Sequence, residues 1–259
     1  MEYILISGAT GGLGKALTES CPKNSNLFLL GRDKERLSAF KKELESSGRF
    51  GEIITFQADL TKEEERSALF EFADGKSVKF CALLNVAGAD IRKPFKDYTD
   101  EKLLFQIRLN AEAAIALSLG VIKRRGKELK ILAVSSMCGI MPMPYFAVYS
   151  ATKAAVLNFF TALYYEEKDV GVTVLVPGSI PTREDIKEDI KRQGITAKLS
   201  SKSPEFVSKK AMKALYKNKR LIIPGLYNKI NYFLQKIIPT PIKCRFMARR
   251  WKKNIKDAF

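Results

Sequence analysis

At 259 residues and 46% hydrophobic content the chain can bury the core of one large α/β domain, and no run of eighteen uninterrupted apolar residues offers a membrane-spanning helix. Histidine is absent, which excludes Ser-His-Asp and Cys-His hydrolysis and most catalytic zinc sites, so an acid/base group must be a carboxylate, Lys, Tyr or Cys. The net charge of +17 is uneven, because residues 206–259 hold fifteen Lys/Arg against Asp257 alone and so carry +14 of it.

In chain order, the β-rich stretches 2–6, 26–30, 52–57, 80–85, 129–135 and 172–176 read as buried strands. Between them, 34–45, 62–72 and 98–123 have the length and composition of helices. Asp33 stands where an N-cap belongs, and Thr61 with Glu64 three residues on forms a capping-box pattern. Such alternation demands right-handed βαβ crossovers and a parallel sheet covered on both faces. The expected fold is therefore α/β, a doubly wound parallel sheet in a three-layer αβα sandwich with its ligand at the carboxyl ends of the strands. Neither an internal repeat nor a low-complexity linker interrupts it. Residues 1–6 lack the basic region and long apolar stretch of a secretory leader. Cys21, Cys81, Cys138 and Cys244 are scattered, as expected of reduced thiols in a cytoplasmic protein, and no metal site is expected.

The first strand runs into Ser7-Gly8-Ala9-Thr10-Gly11-Gly12-Leu13-Gly14, after which a helix begins. Gly8 can turn the chain tightly, and Gly12 lets backbone N–H groups approach a pyrophosphate. Gly14 lets the helix pack close to the strand, so that its N-terminal donors face the anion. At the end of the second strand an acid would accept hydrogen bonds from a ribose 2′-hydroxyl. Here Gly31 takes that place and Arg32 follows, whose planar fork suits a 2′-phosphate. Asp33 points the other way, although its place also suits the helix cap.

Ser135 and Ser136 close the fifth strand, and Tyr149-Ser150-Ala151-Thr152-Lys153 opens the next helix. Tyr149 and Lys153 are four apart and share a helical face, where an ammonium would lower the phenol's pKa from its usual value near 10. That combination gives a histidine-free protein an acid/base working near neutral pH.

Taken together, these motifs resemble the short-chain dehydrogenase/reductase family over about residues 1 to 225. Gly8, Gly12 and Gly14, with Thr10, Gly11 and Leu13 between them, match its cofactor loop. Asp59, followed by Leu60, matches an acid that contacts the adenine. Asn85-Val86-Ala87-Gly88 matches its NNAG turn with Val86 in place of the second Asn. Asn110 matches a catalytic-site Asn, and Ser136 stands thirteen residues before Tyr149, the family's spacing. Pro177, Gly178, Ile180 and Thr182 match the turn beside the nicotinamide. The resemblance implies a Rossmann-type fold and an oxidoreductase moving hydride between a nicotinamide and a carbonyl or alcohol. Tyr149 would give a proton to the substrate oxygen. Lys153 would hold the nicotinamide ribose and keep Tyr149 acidic, Ser136 would hydrogen-bond the substrate oxygen, and Asn110 would position a water. Arg32 in place of the acid goes with NADP(H), with NAD(H) the second choice. A homo-oligomer, dimer or tetramer, is expected.

Residues 179–200 should form a lid over the substrate, and residues 226–259 are a basic amphipathic extension. There Leu226, Tyr227, Ile230, Phe233, Leu234 and Ile237 make an apolar stripe. Pro239 and Pro241 break it before Phe246, Met247 and Trp251 appear among Lys243, Arg245, Arg249, Arg250, Lys252 and Lys253. Two readings stand open: a peripheral membrane-surface element, or a segment packed on the core or a second subunit. Nucleic acid is not expected, because no recognised nucleic-acid fold accompanies the charge. The substrate is expected to be a carbonyl or alcohol, lipid-like or acyl. The alternative is a non-catalytic NADP(H)-binding protein recruited to a membrane or anionic partner by its tail.

Overall fold

Successive side chains of a strand point to opposite faces, and in this chain both sets are apolar. In the first strand Tyr3 and Leu5 join one buried cluster, while Ile4 and Ile6 join another. Both faces must therefore be covered, and the computed structural model, which describes residues 1–252, shows how. Strands β1 (Glu2–Ser7), β2 (Asn26–Gly31), β3 (Ile53–Gln57), β4 (Lys79–Asn85), β5 (Arg125–Val134), β6 (Val170–Leu175) and β7 (Leu221–Ile222) pair in parallel as one seven-stranded sheet. Their order is β3-β2-β1-β4-β5-β6-β7. It reverses between β1 and β4, which opens a crevice at their carboxyl ends.

The helices are α1 (Gly12–Glu19), α2 (Lys34–Ser46), α3 (Glu63–Gly75), α4 (Asp100–Ile107), α5 (Ala113–Ile122), α6 (Ala147–Glu166), α7 (Glu184–Arg192), α8 (Ile195–Ser200), α9 (Pro204–Tyr216), α10 (Leu226–Ile237) and α11 (Thr240–Trp251). Leu17, Phe40 and Leu215 bring α1, α2 and α9 onto one face of the sheet. Leu69, Leu117 and Phe160 bring α3, α5 and α6 onto the other.

All six expected strands are present. β5 begins four residues before the expected 129, at Arg125, which pairs with Phe80 across a register shift. The short β7 was not expected; Leu221 and Ile222 pair with Val174 and Leu175. Asp33 caps α2, accepting from the Arg36 N–H. The expected capping box at Thr61 does not form. The Thr61 hydroxyl instead donates to Asp59 at 2.8 Å, Lys62 occupies the cap, and Glu65 rather than Glu64 reaches back, to the Asp59 N–H. The carboxylate of Asp59 competes for the hydroxyl that would have capped the helix.

The helix expected over 98–123 is interrupted by a π-helical turn, Arg108–Glu112, between α4 and α5. Asp100–Ile122 is long and apolar enough to span a membrane, yet 50% of its most apolar window is buried, with Leu117 and Val121 in the core. The segment expected to form a lid holds α7 and α8, joined at Gly194, whose φ is +78°. The basic extension forms α10 and α11; Lys253 and the residues after it lie outside the described residues. Asn228 pins α10 to the lid: its amide donates to the Ser200 and Pro224 carbonyls at 2.9 and 2.8 Å, and its oxygen accepts from the Ser200 hydroxyl.

Candidate active site

Along the crevice runs a cavity of about 1100 Å³, from the glycine loop and the end of β2 to the lid and α11. Its floor is the loop after β1. Gly8 has φ +66°, a conformation that L side chains rarely adopt. A β-carbon at Gly14 would stand 2.1 Å from the Gly8 carbonyl oxygen, so only glycine lets α1 approach the loop this closely. Gly11 caps α1 without a side-chain bond, which leaves the first-turn N–H groups to an incoming anion. Thr10, Gly11, Gly12, Leu13 and Gly14 all line the cavity.

At the end of β2 the Arg32 side chain is exposed, its guanidinium 5.3 Å from the Phe105 ring centroid, and it lines the cavity with Asp33. Arg36 lies there as well, donating to the Thr10 carbonyl at 3.0 Å. Sequence reading missed Arg36. Its signal was its place on the first turn of α2, one turn beyond Arg32.

Ala87 and Gly88 line the cavity after β4, whereas Asn85 does not. Its side chain is buried, accepting from the Ser7 hydroxyl and donating to the Ala114 carbonyl at 2.8 Å. Ser7, also unforeseen, accepts from the Val86 and Ala87 N–H groups at 3.0 and 3.2 Å, so the two side chains shape the turn from behind. Asp59 likewise lies off the cavity, bonded to Thr61, although Leu60 beside it is a lining residue.

The chemistry converges where β5 meets α6. Lys153 is buried, and its ammonium donates to the Val134 carbonyl at 2.9 Å. Ser135 donates to the Lys153 carbonyl at 2.7 Å, which binds the end of the strand to the helix. That bond separates the two serines: Ser135 fastens the backbone, while Ser136 lines the cavity with Tyr149 and accepts from the Cys138 N–H at 3.1 Å. Tyr145, in the left-handed region at φ 64°, turns the chain into α6 just before Tyr149. Phe146 stacks on the Tyr149 ring at 4.5 Å.

Asn110 sits in the π turn and is buried, a common place for a functional side chain. Its oxygen accepts from the Ala89 N–H at 2.8 Å, and its amide donates to the Ala89 carbonyl and the Thr152 hydroxyl at 2.9 and 3.2 Å. Asn110 does not line the cavity, but it and Lys153 both approach Gly88. A β-carbon on Gly88 would stand 3.1 Å from the Asn110 oxygen and 3.2 Å from the Lys153 nitrogen.

The electrostatics differ from the expectation that Lys153 lowers the pKa of Tyr149. Burial instead raises the phenol, and the charges of Cys138 and Asp90 add to it, against a smaller opposing contribution from the Ser136 hydrogen bond. Burial also depresses Lys153 to about 8, although nearby Asp90 favours its charged form. Loss of water is the largest cause of both shifts.

Across the cavity, Pro177, Gly178, Ile180 and Thr182 all form the wall after β6. Thr182 rests on the glycine loop, since a β-carbon at Gly12 would stand 2.6 Å from its Cβ. Met141, Met143, Phe146 and Trp251 form an apolar cluster beside Tyr149, with Met247 against it. At Trp251, then, the extension packs on the protein.

A reversing parallel sheet, with a glycine loop and a free helix N-terminus at the switch point, defines a dinucleotide-binding α/β protein. The family model described as short chain dehydrogenase matches residues 2–193, and the chain belongs to that family of oxidoreductases. It is 31% identical over 211 residues to the uncharacterized oxidoreductase DltE of Bacillus subtilis, covering 79% of this chain and 81% of that protein. It is 29% identical over 186 residues, or 70% of this chain, to the 11-beta-hydroxysteroid dehydrogenase-like 2 of Arabidopsis thaliana, of whose length it spans 60%. Among solved structures, a short-chain dehydrogenase from Sphingobium yanoikuyae in complex with NADPH superposes with a TM-score of 0.76 at 24% identity, over 100% of this chain and 98% of that one.

The depressed Lys153 has a consequence for stability. The unfolded chain keeps this lysine protonated up to about 10.5, while the folded protein releases the proton above about 8. Between those values the unfolded state binds more protons, so folding stability rises with pH through that window. Lys153→Met should flatten the rise by on the order of 3 kcal/mol. Denaturant titrations of both proteins at pH 7.5 and 10 check it; equal slopes would show that the lysine is not desolvated.

Proposed function

We propose that this chain is an NADP(H)-dependent oxidoreductase that moves hydride between a nicotinamide and a carbonyl or alcohol, with Tyr149 as its acid/base. The observation that carries the reading is the meeting of Ser136, Tyr149 and Lys153 on a cavity that begins at the glycine loop. The glycine cradle and the helix N-terminus fit a pyrophosphate, and Arg32 and Arg36 fit a 2′-phosphate at the end of β2. The NADPH-bound Sphingobium structure supports the same choice of cofactor. Bound NADP(H) supplies the hydride.

What the protein contributes follows from its own atoms. Because burial holds the Tyr149 phenol protonated, it is a donor across neutral pH, suited to reducing a carbonyl. Ser136 orients the substrate oxygen by hydrogen bonding. The phenolate left behind is favoured by the Ser136 hydrogen bond and by the Lys153 ammonium, 5.8 Å from the ring centroid. Asn110, clamped to Ala89, keeps Lys153 and the turn at Gly88 in register.

The protein acts at an anionic membrane surface. Leu226, Ile230, Phe233, Leu234 and Ile237 are exposed on α10, as are Ile242 and Phe246 on α11. Lys229, Lys236, Arg245 and Arg249 accompany them, the composition of an interfacial helix pair. Apolar side chains beside the cavity suit a lipid-like carbonyl substrate.

Tyr149→Phe should leave cofactor affinity intact and lower turnover by about a hundredfold or more. Near-normal turnover on any ketone the wild type reduces would defeat the assignment. NADPH should bind more tightly than NADH by about 1.5–3 kcal/mol, and Arg32→Ala with Arg36→Ala should erase most of the gap. Equal wild-type affinities by titration would show that neither guanidinium serves a 2′-phosphate. The full chain should sediment with phosphatidylserine vesicles and be released as salt rises, each basic side chain contributing about 1 kcal/mol. Phe233→Asp with Ile237→Asp should abolish sedimentation, and no binding by the wild type at low salt would refute the membrane reading.

A further inference from the structure

Three segments far apart in sequence meet over the Tyr149 end of the cavity. Arg92, in the loop after β4, is 3% exposed and donates to the Asp189 carboxylate at 2.5 Å. Asp189 lies on the buried side of α7, where Gln193 donates to the same carboxylate oxygen at 2.9 Å. The Gln193 carbonyl oxygen in turn accepts from Arg250 of α11 at 3.2 Å. The Arg92 guanidinium also stands 4.8 Å from the Trp251 ring centroid and 5.7 Å from that of Phe146. Phe146 lies between Trp251, at 5.8 Å, and the catalytic ring of Tyr149, at 4.5 Å.

This arrangement is costly to maintain. Arg92 Nε and Trp251 Nε1 are buried without a hydrogen-bond partner, and a desolvated ion pair is weak support for stability. What it achieves is position. A carbonyl held at Tyr149 and Ser136 has Phe146, Met247, Trp251 and Ile190 among the cavity walls beside it. Those side chains are apolar, and only the C-terminal helix supplies an indole.

We propose that Trp251 is the specificity-determining side chain of this site, forming the wall on which the apolar part of a carbonyl substrate rests. Arg92 is the positioning residue that holds it there, joining α11 to α7 through Asp189. The assignment deepens the oxidoreductase reading and rests on it. The substrate class it implies is a ketone or aldehyde with a flat or branched apolar group next to the reacting carbon, its size limited by the indole.

Trp251 is the sole tryptophan of the chain, so its fluorescence reports the wall directly. Acrylamide should quench the wild-type full-length protein weakly. Arg92→Ala and Asp189→Ala should each raise the quenching constant several-fold, and Arg92→Lys, which keeps the charge without the planar fork, should fall between. In NADPH oxidation with cyclohexanone, 1-tetralone and a steroid ketone, Trp251→Ala should shift the kcat/KM ratio of the largest to the smallest probe by on the order of tenfold. The change should lie in KM more than kcat. Arg92→Ala should shift the ratio in the same direction, and the double variant should add little to Trp251→Ala. Trp251→Phe guards against loss of folding and should shift the ratio less.

An indole as quenchable in the wild type as in Arg92→Ala would overturn the positioning role. A common factor for all three ketones in Trp251→Ala would overturn the specificity role. Should the wild type reduce none of the ketones, that failure belongs to the oxidoreductase reading. Protection of the indole by 1-tetralone then decides the wall by itself: protection supports it, and unchanged quenching overturns it.

Discussion

The carbonyl of Val134 at the end of β5 accepts the Lys153 ammonium, and the Ser135 hydroxyl at the same strand end donates to the Lys153 carbonyl. This pair of bonds locks α6 to the central part of the sheet, and the geometry of the site depends on it. Once the helix is fixed there, Tyr149, one turn before Lys153, meets Ser136, the residue after Ser135. Asn110 reaches the same helix through Thr152 and bonds the loop at Ala89. Three chain segments that could each fold locally are thereby held to one arrangement. Burial of this ammonium with a single carbonyl acceptor carries a cost, which shows in its depressed pKa.

Desolvation also sets the character of the acid. In this cleft the phenol and the ammonium both lose hydration, and that loss dominates the shift of each. The phenol is therefore kept protonated, the state that the proposed proton donor needs. Phe146 covers the ring on one side, and the apolar cluster with Met141, Met143 and Trp251 continues the exclusion of water. The same apolar packing lines the cavity beside the phenol.

The basic extension has two faces with different fates. Asn228 and Trp251 turn inward, one onto the lid at Ser200 and the other into the cluster beside Tyr149. The remaining apolar residues of α10 and α11 face outward among lysines and arginines. Both readings of the extension thus have a physical basis in different residues of the same helices. The alternation of faces leaves one side of these helices exposed and sets the other at the edge of the site.

The amino-acid sequence by itself determined the layered sheet, because a period of two in strands and their apolar character on both faces are local patterns. It also determined the glycine loop and the Tyr149–Lys153 pair, since a tight turn and an i, i+4 spacing are written in consecutive residues. Tertiary structure decided the rest. The π turn that aims Asn110 arises inside a stretch that reads as one continuous helix. Asn85 and Ser7 proved to support the turn from behind, and Arg36 joined Arg32, through contacts between residues 26 or more positions apart. Arg92 carries no signal in sequence, because an arginine in a polar loop reads as surface, and for Trp251 the sequence left surface binding and packing both open. Their burial depends on three segments 60 or more residues apart arriving at one point, which no local pattern encodes.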